Sequence, residues 1–108
     1  SKLVPLDPGE FFRATDPAVN PRSALPKLYP EWKSLAATEV RYDEATYKKI
    51  PKAYIYTAED PFVSPETQKK YVERAAIRNS TSIPTGHFPM ISNPKLLTRE
   101  IVKWAETL

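Results

Sequence analysis

The sequence predicts an α/β chain built on two parallel strands, and three observations predict it. Ala53-Tyr54-Ile55-Tyr56-Thr57 is a nearly continuous, β-prone apolar run, the pattern of a strand covered on both faces in a parallel sheet. Ser80 to Ile83 is a second, shorter run of strand character. A cap-plus-proline signal follows each, Ser64-Pro65 and Asn93-Pro94, which opens a helix because the capping oxygen serves free N–H groups and proline needs no donor in the first turn. The order is β-α-β-α, and a strand-helix-strand unit makes the two strands parallel neighbours or near-neighbours.

Ahead of this unit, Pro5, Pro8, Pro17, Pro21, Pro26 and Pro30 stand too close together for any long helix. Leu25, Leu28, Trp32 and Leu35 keep helical spacing, so a short helix is predicted from Pro30 to Ala37, and Thr38 to Tyr42 alternates weakly like a short exposed strand. The strand at Ala53–Thr57 ends in the acidic loop Ala58-Glu59-Asp60-Pro61. The helix after Ser64 is predicted to run to about Ile77, with Val72, Ala75 and Ala76 inward and Lys69 and Lys70 outward. Pro84-Thr85-Gly86 turns the chain into His87, and Leu97, Ile101, Trp104 and Leu108 trace the apolar stripe of a final helix. Residues 1–49 thus form an irregular and partly helical connection, and residues 50–108 the β-α-β-α unit.

Composition removes several classes of function. With no cysteine and one histidine there is no disulfide framework and no thiol nucleophile, and no metal site is expected. Two glycines, Gly9 and Gly86, cannot make a phosphate-cradling loop, so nucleotide-binding fingerprints are absent and no cofactor is implied. Sixteen basic against thirteen acidic residues leave a net charge of +3, but Lys69, Lys70 and Arg74 alternate with Glu66 and Glu73 along a solvated helix face. A nucleic-acid partner is therefore not expected. No apolar run approaches the roughly 18 to 20 residues of a membrane span, and no signal segment opens the chain. A cytoplasmic setting without a membrane partner is the expectation. The start at Ser1, with Met90 the sole methionine, leads us to expect a piece of a longer polypeptide.

The parallel topology places Asp60 and His87 in loops that leave the C-terminal ends of strands, the edge where ligand chemistry collects in open α/β sheets. A carboxylate beside an imidazole fixes its tautomer and stabilises the imidazolium formed when the other ring nitrogen takes a proton. The bland reading is a solvated loop histidine and an ordinary acidic turn.

Ile50-Pro51-Lys52-Ala53-Tyr54-Ile55-Tyr56-Thr57 with Asp60, and Gly86-His87-Phe88-Pro89-Met90 followed by Ser92-Asn93-Pro94, resemble the last two strands of an α/β-hydrolase. The similarity is to the small esterases related to plant hydroxynitrile lyases and methylesterases, whose triad runs Ser, Asp, His along the chain. The resemblance implies the C-terminal portion of a doubly wound sheet, with residues 1–49 a cap-domain remnant and connection. It implies that Asp60 and His87 are the acid and the histidine of a Ser-Asp-His triad acting on a small-molecule ester. Trp32, Leu28, Phe62 and Phe88 would then face substrate, although core packing also accounts for Trp32 and Leu28.

Two departures qualify the likeness. No G-x-S-x-G elbow exists, so the nucleophilic serine and the oxyanion hole must come from the remainder of the hydrolase domain. The lyase branch carries a lysine after the histidine, where this chain has Phe88, which favours ester hydrolysis over cyanohydrin cleavage. The alternatives are a truncated, non-catalytic module that docks a protein along its open sheet edge, and, more weakly, a hydroxynitrile lyase or a basic nucleic-acid binder.

Overall fold

The computed structural model describes residues 2–3, 15–20 and 31–108, and its elements follow in chain order. They are β1 (Lys2–Leu3), β2 (Glu31–Trp32), α1 (Lys33–Ala37), α2 (Glu44–Lys49), β3 (Ala53–Thr57), α3 (Pro65–Arg74), β4 (Asn79–Ile83), α4 (Pro89–Ser92) and α5 (Pro94–Ala105). The result is a small α/β arrangement of two parallel strands with flanking helices and an open sheet. β1 and β2 pair antiparallel over two residues, Lys2 opposite Trp32 and Leu3 opposite Glu31. β3 and β4 pair in parallel with Ala53 opposite Asn79 and Thr57 opposite Ile83.

In a parallel pair a strand residue aims both its backbone groups to one side and the next residue aims them to the other. The Ala58 N–H donates to the Ile83 carbonyl at 3.0 Å, so the even-numbered positions of β3 serve β4 and Ala53, Ile55 and Thr57 face away. At Thr57 that outward side is closed by a side chain. Gln68 of α3, 1% exposed, accepts from the Thr57 N–H at 3.0 Å and donates to the Thr57 carbonyl at 3.1 Å and the Val63 carbonyl at 2.8 Å. A primary amide presents the same donor and acceptor as a peptide group, so Gln68 makes on that side of Thr57 the two bonds a neighbouring strand would make. Ala53 and Ile55 have no such partner among the described residues.

The cap signals act as the sequence indicates. The Ser64 hydroxyl accepts from the Thr67 N–H and Asn93 accepts from the Leu96 N–H, each with proline in the first turn. Where α3 ends, the structure corrects the expectation of a helix to Ile77. Ala76 adopts φ 53°, and the bonds Ala76 N–H to Glu73 and Ile77 N–H to Val72 close a left-handed C-terminal cap. Ala76 is consequently exposed rather than inward, while Val72 and Ala75 are half-buried.

Other expectations are also revised. Thr38 to Tyr42 is not a strand, because no neighbour pairs with it and all five residues are exposed. The helix expected from Pro30 begins at Lys33, since Trp32 is extended and bridged to Lys2, and Pro30 lies outside the described residues. β3 is half-buried at all five positions rather than covered on both faces, as fits a strand that pairs on one side only among the described residues. Of the predicted final stripe, Leu97 and Trp104 are half-buried, whereas Ile101 and Leu108 are exposed and Leu108 lies beyond α5. α2, capped by Asp43, and α4 were not expected from the apolar pattern because six and four residues are too few to show a helical period. No helix among the described residues is long and apolar enough to cross a membrane.

Candidate active site

Asp60 owes its place to the end of β3. Pairing continues one step past the strand, with the Glu59 N–H donating to the Thr85 carbonyl at 3.0 Å, and the Asp60 N–H then turns back to the Thr57 carbonyl at 3.2 Å. The carboxylate caps the following turn. Its Oδ1 accepts from the N–H groups of Phe62 at 2.8 Å and Val63 at 2.9 Å, and its Oδ2 accepts from the Thr57 hydroxyl at 2.9 Å. Burial on its own raises the pKa of such a group. The bonds from Val63, His87, Phe62 and Thr57 outweigh it and hold the Asp60 carboxyl below the usual carboxylate value. Beside it, the Tyr54 phenol is raised, chiefly by burial and then by Tyr56, Tyr71 and Asp60.

His87 follows the turn out of β4, and its backbone N–H donates to the Thr15 carbonyl at 2.8 Å. Its Nδ1 lies 2.9 Å from Oδ2 of Asp60, whose side chain is 2% exposed. An ionised carboxylate only accepts, so Nδ1 carries the proton and the neutral ring keeps its lone pair on Nε2. Nε2 makes no hydrogen bond among the described residues, and the side chain is 29% exposed. Two aromatic edges hold the imidazole: Phe62 at 5.0 Å and 84°, and Phe88 at 4.9 Å and 85° between ring planes.

Asp60, His87, Phe62 and Phe88 are thus brought together, and Trp32 is not. It is 57% exposed on β2, and no hydrogen bond or ring contact joins it to Asp60 or His87 among the described residues. Leu28 lies outside the described residues.

One participant escaped the sequence reading. Asp16, 1% exposed, accepts at Oδ2 from the Phe88 N–H at 2.9 Å and the Ser92 hydroxyl at 3.0 Å, and at Oδ1 from the Ala18 N–H at 3.2 Å. Gly86 makes this approach possible, because a Cβ there would lie 2.7 Å from Cγ of Asp16. The lack of a side chain at Gly86 was visible in the sequence, but its partner was not.

The arrangement can accept a proton at Nε2 and hold the resulting imidazolium against Asp60. The serines nearby serve other ends: Ser64 caps α3, and Ser92 donates to Asp16 and to the Phe88 carbonyl. Among the described residues no three of His, Asp and Glu converge to hold a metal ion. No family model matches the chain, and neither a curated protein nor a solved structure matches it.

Proposed function

We propose that this chain carries the acid and histidine of a serine-type carboxylic-ester hydrolase, with the nucleophilic serine and oxyanion donors supplied by the remainder of the hydrolase domain. The observation that carries this reading is the Asp60–His87 pair at 2.9 Å, with Nδ1 committed to a buried carboxylate and Nε2 free of partners among the described residues. In the reaction, Nε2 takes the proton of the serine hydroxyl as its oxygen bonds to the ester carbonyl carbon. The imidazolium then returns that proton to the departing alkoxide as the carbon–oxygen bond breaks, and water repeats the sequence on the acyl-enzyme. Asp60 stays ionised throughout and holds the ring. The edges of Phe62 and Phe88 beside the imidazole suit an apolar substituent on the ester.

The test is hydrolysis of a p-nitrophenyl ester by the natural polypeptide that contains Gly86 to Pro94. In that polypeptide His87→Ala lowers kcat on the order of 10⁴-fold with an unchanged circular dichroism spectrum. Retained hydrolysis in the folded variant overturns the reading.

A second reading is favoured by one observation, the outward backbone groups of Ala53 and Ile55 with no partner among the described residues. An open strand edge is a template for another strand, so a non-catalytic module could dock a protein there. Lysine at Ile55 would then weaken association in sedimentation while leaving any ester hydrolysis intact.

A further inference from the structure

We propose that Asp16 is a positioning residue for His87, fixing the loop from Gly86 to Ser92 so that the imidazole stays on Asp60; the catalytic part of this inference rests on the function proposed above. The Asp60 carboxylate can orient the ring only if the backbone that carries it is held. Asp60 bonds the His87 side chain, but the main chain on either side is secured from elsewhere. Thr15 accepts the His87 N–H at 2.8 Å, and Asp16 accepts the N–H of the next residue, Phe88, at 2.9 Å. The same carboxylate oxygen takes the Ser92 hydroxyl, so one side chain ties the residue after the histidine to the end of α4.

This contact spans 72 residues of sequence, and its chemistry is not that of a packing accident. A carboxylate that is 1% exposed is costly unless its lone pairs are used, and Asp16 uses both oxygens on three donors. Gly86 is packed against it so closely that any side chain there must displace Asp16 or the loop. The free edge of the imidazole, Nε2, therefore takes its direction from two carboxylates, one on the ring and one on the loop.

The sole histidine makes the test direct, because the imidazole nitrogens of His87 are the only ones in the chain. In the ¹⁵N-labelled full chain at neutral pH, long-range ¹H–¹⁵N spectra should show a single tautomer protonated at Nδ1. Asp16→Ala should shift both ring nitrogens toward the average of the two tautomers while the far-ultraviolet circular dichroism is retained. Gly86→Ala, which crowds the same contact from the other side, should do likewise, and Ser92→Ala, which removes one donor, should do so to a smaller degree. If Asp16→Ala does not fold, Ser92→Ala and the isosteric Asp16→Asn carry the comparison, since one amide oxygen cannot accept on both sides. A fixed Nδ1–H tautomer in the folded variants overturns the role of Asp16 and leaves the Asp60–His87 pair standing. Averaged tautomers already present in the unmodified chain overturn that pair and the role of Asp16 together. In a polypeptide with ester-hydrolase activity, Asp16→Ala should lower kcat about 10²-fold with little change in KM, as expected for a misplaced acid–base group.

Discussion

Residues 32–51 and the strand-end loops at 57–63 and 83–92 are both rich in polar side chains, yet they are held in opposite ways. Every residue from Trp32 to Pro51 is exposed, and neither α1 nor α2 contains a buried residue. Apart from the strand pairing of Trp32 with Lys2, the bonds that shape this stretch among the described residues are local: Asp43 accepts from the Ala45 and Thr46 N–H groups, and Lys52 lies 4.1 Å from the centre of the Tyr47 ring while donating to nearby carbonyls. The strand-end loops instead bury Asp60, Ile83, Thr85 and Gly86, with Gln68 and Asp16 brought in from distant sequence. Local caps shape the exposed segment; buried polar groups with complete sets of partners, some of them far off in sequence, place a histidine. Such groups gain little from each bond but lose heavily when one partner is removed, so the second region should be far more sensitive to substitution.

The largest expected effect is at Gln68. Gln68→Leu leaves the Thr57 N–H and the Val63 carbonyl without partners and the Thr57 carbonyl with only the Asp60 N–H, and urea denaturation should show a loss of about 3 kcal/mol. Asp60→Asn should cost about 2 kcal/mol, because the amide cannot accept from all four donors. Acid tests the same carboxylate without substitution. The folded-state value of Asp60 lies below its unfolded value of about 3.9, so its contribution is present above about pH 4 and is lost as pH falls through the folded value. A denaturation midpoint that falls below pH 4 in the parent chain, and falls less in Asp60→Asn, would bear this out. Ala76→Gly relieves a left-handed alanine at φ 53° and should raise stability by about 1 kcal/mol. The smallest effect belongs to the exposed region: Leu35→Ser, at a helix position that is 67% exposed, should stay within about 0.5 kcal/mol. A large loss there would dissolve the contrast between the two regions.

What could be read from sequence follows the same division. β3, β4, α3 and α5 were legible because strand runs and cap-plus-proline pairs are local signals, and Asp60 and His87 because a parallel crossover puts both strand ends on one edge. Gln68 was hidden between Thr67 and Lys69 on a helix whose surroundings read as a solvated face, and nothing in its neighbours announces a backbone partner eleven residues away. Asp16 sits in a proline-punctuated stretch, and its contact with Phe88 has no periodicity to betray it. Ala76 fills a place where glycine is the customary signal, so the true end of α3 left no mark. Thr38 to Tyr42 shows the converse error, an alternation with no partner strand to make use of it.

Gln68 has one more consequence, which concerns proton traffic. Its carboxamide does not titrate, whereas the carboxylate a few ångströms away along the same strand end does. Protonation of Asp60 therefore leaves the Gln68 bonds to Thr57 and Val63 in place, whereas a carboxylate at position 68 would bring a second titrating group to the same strand end.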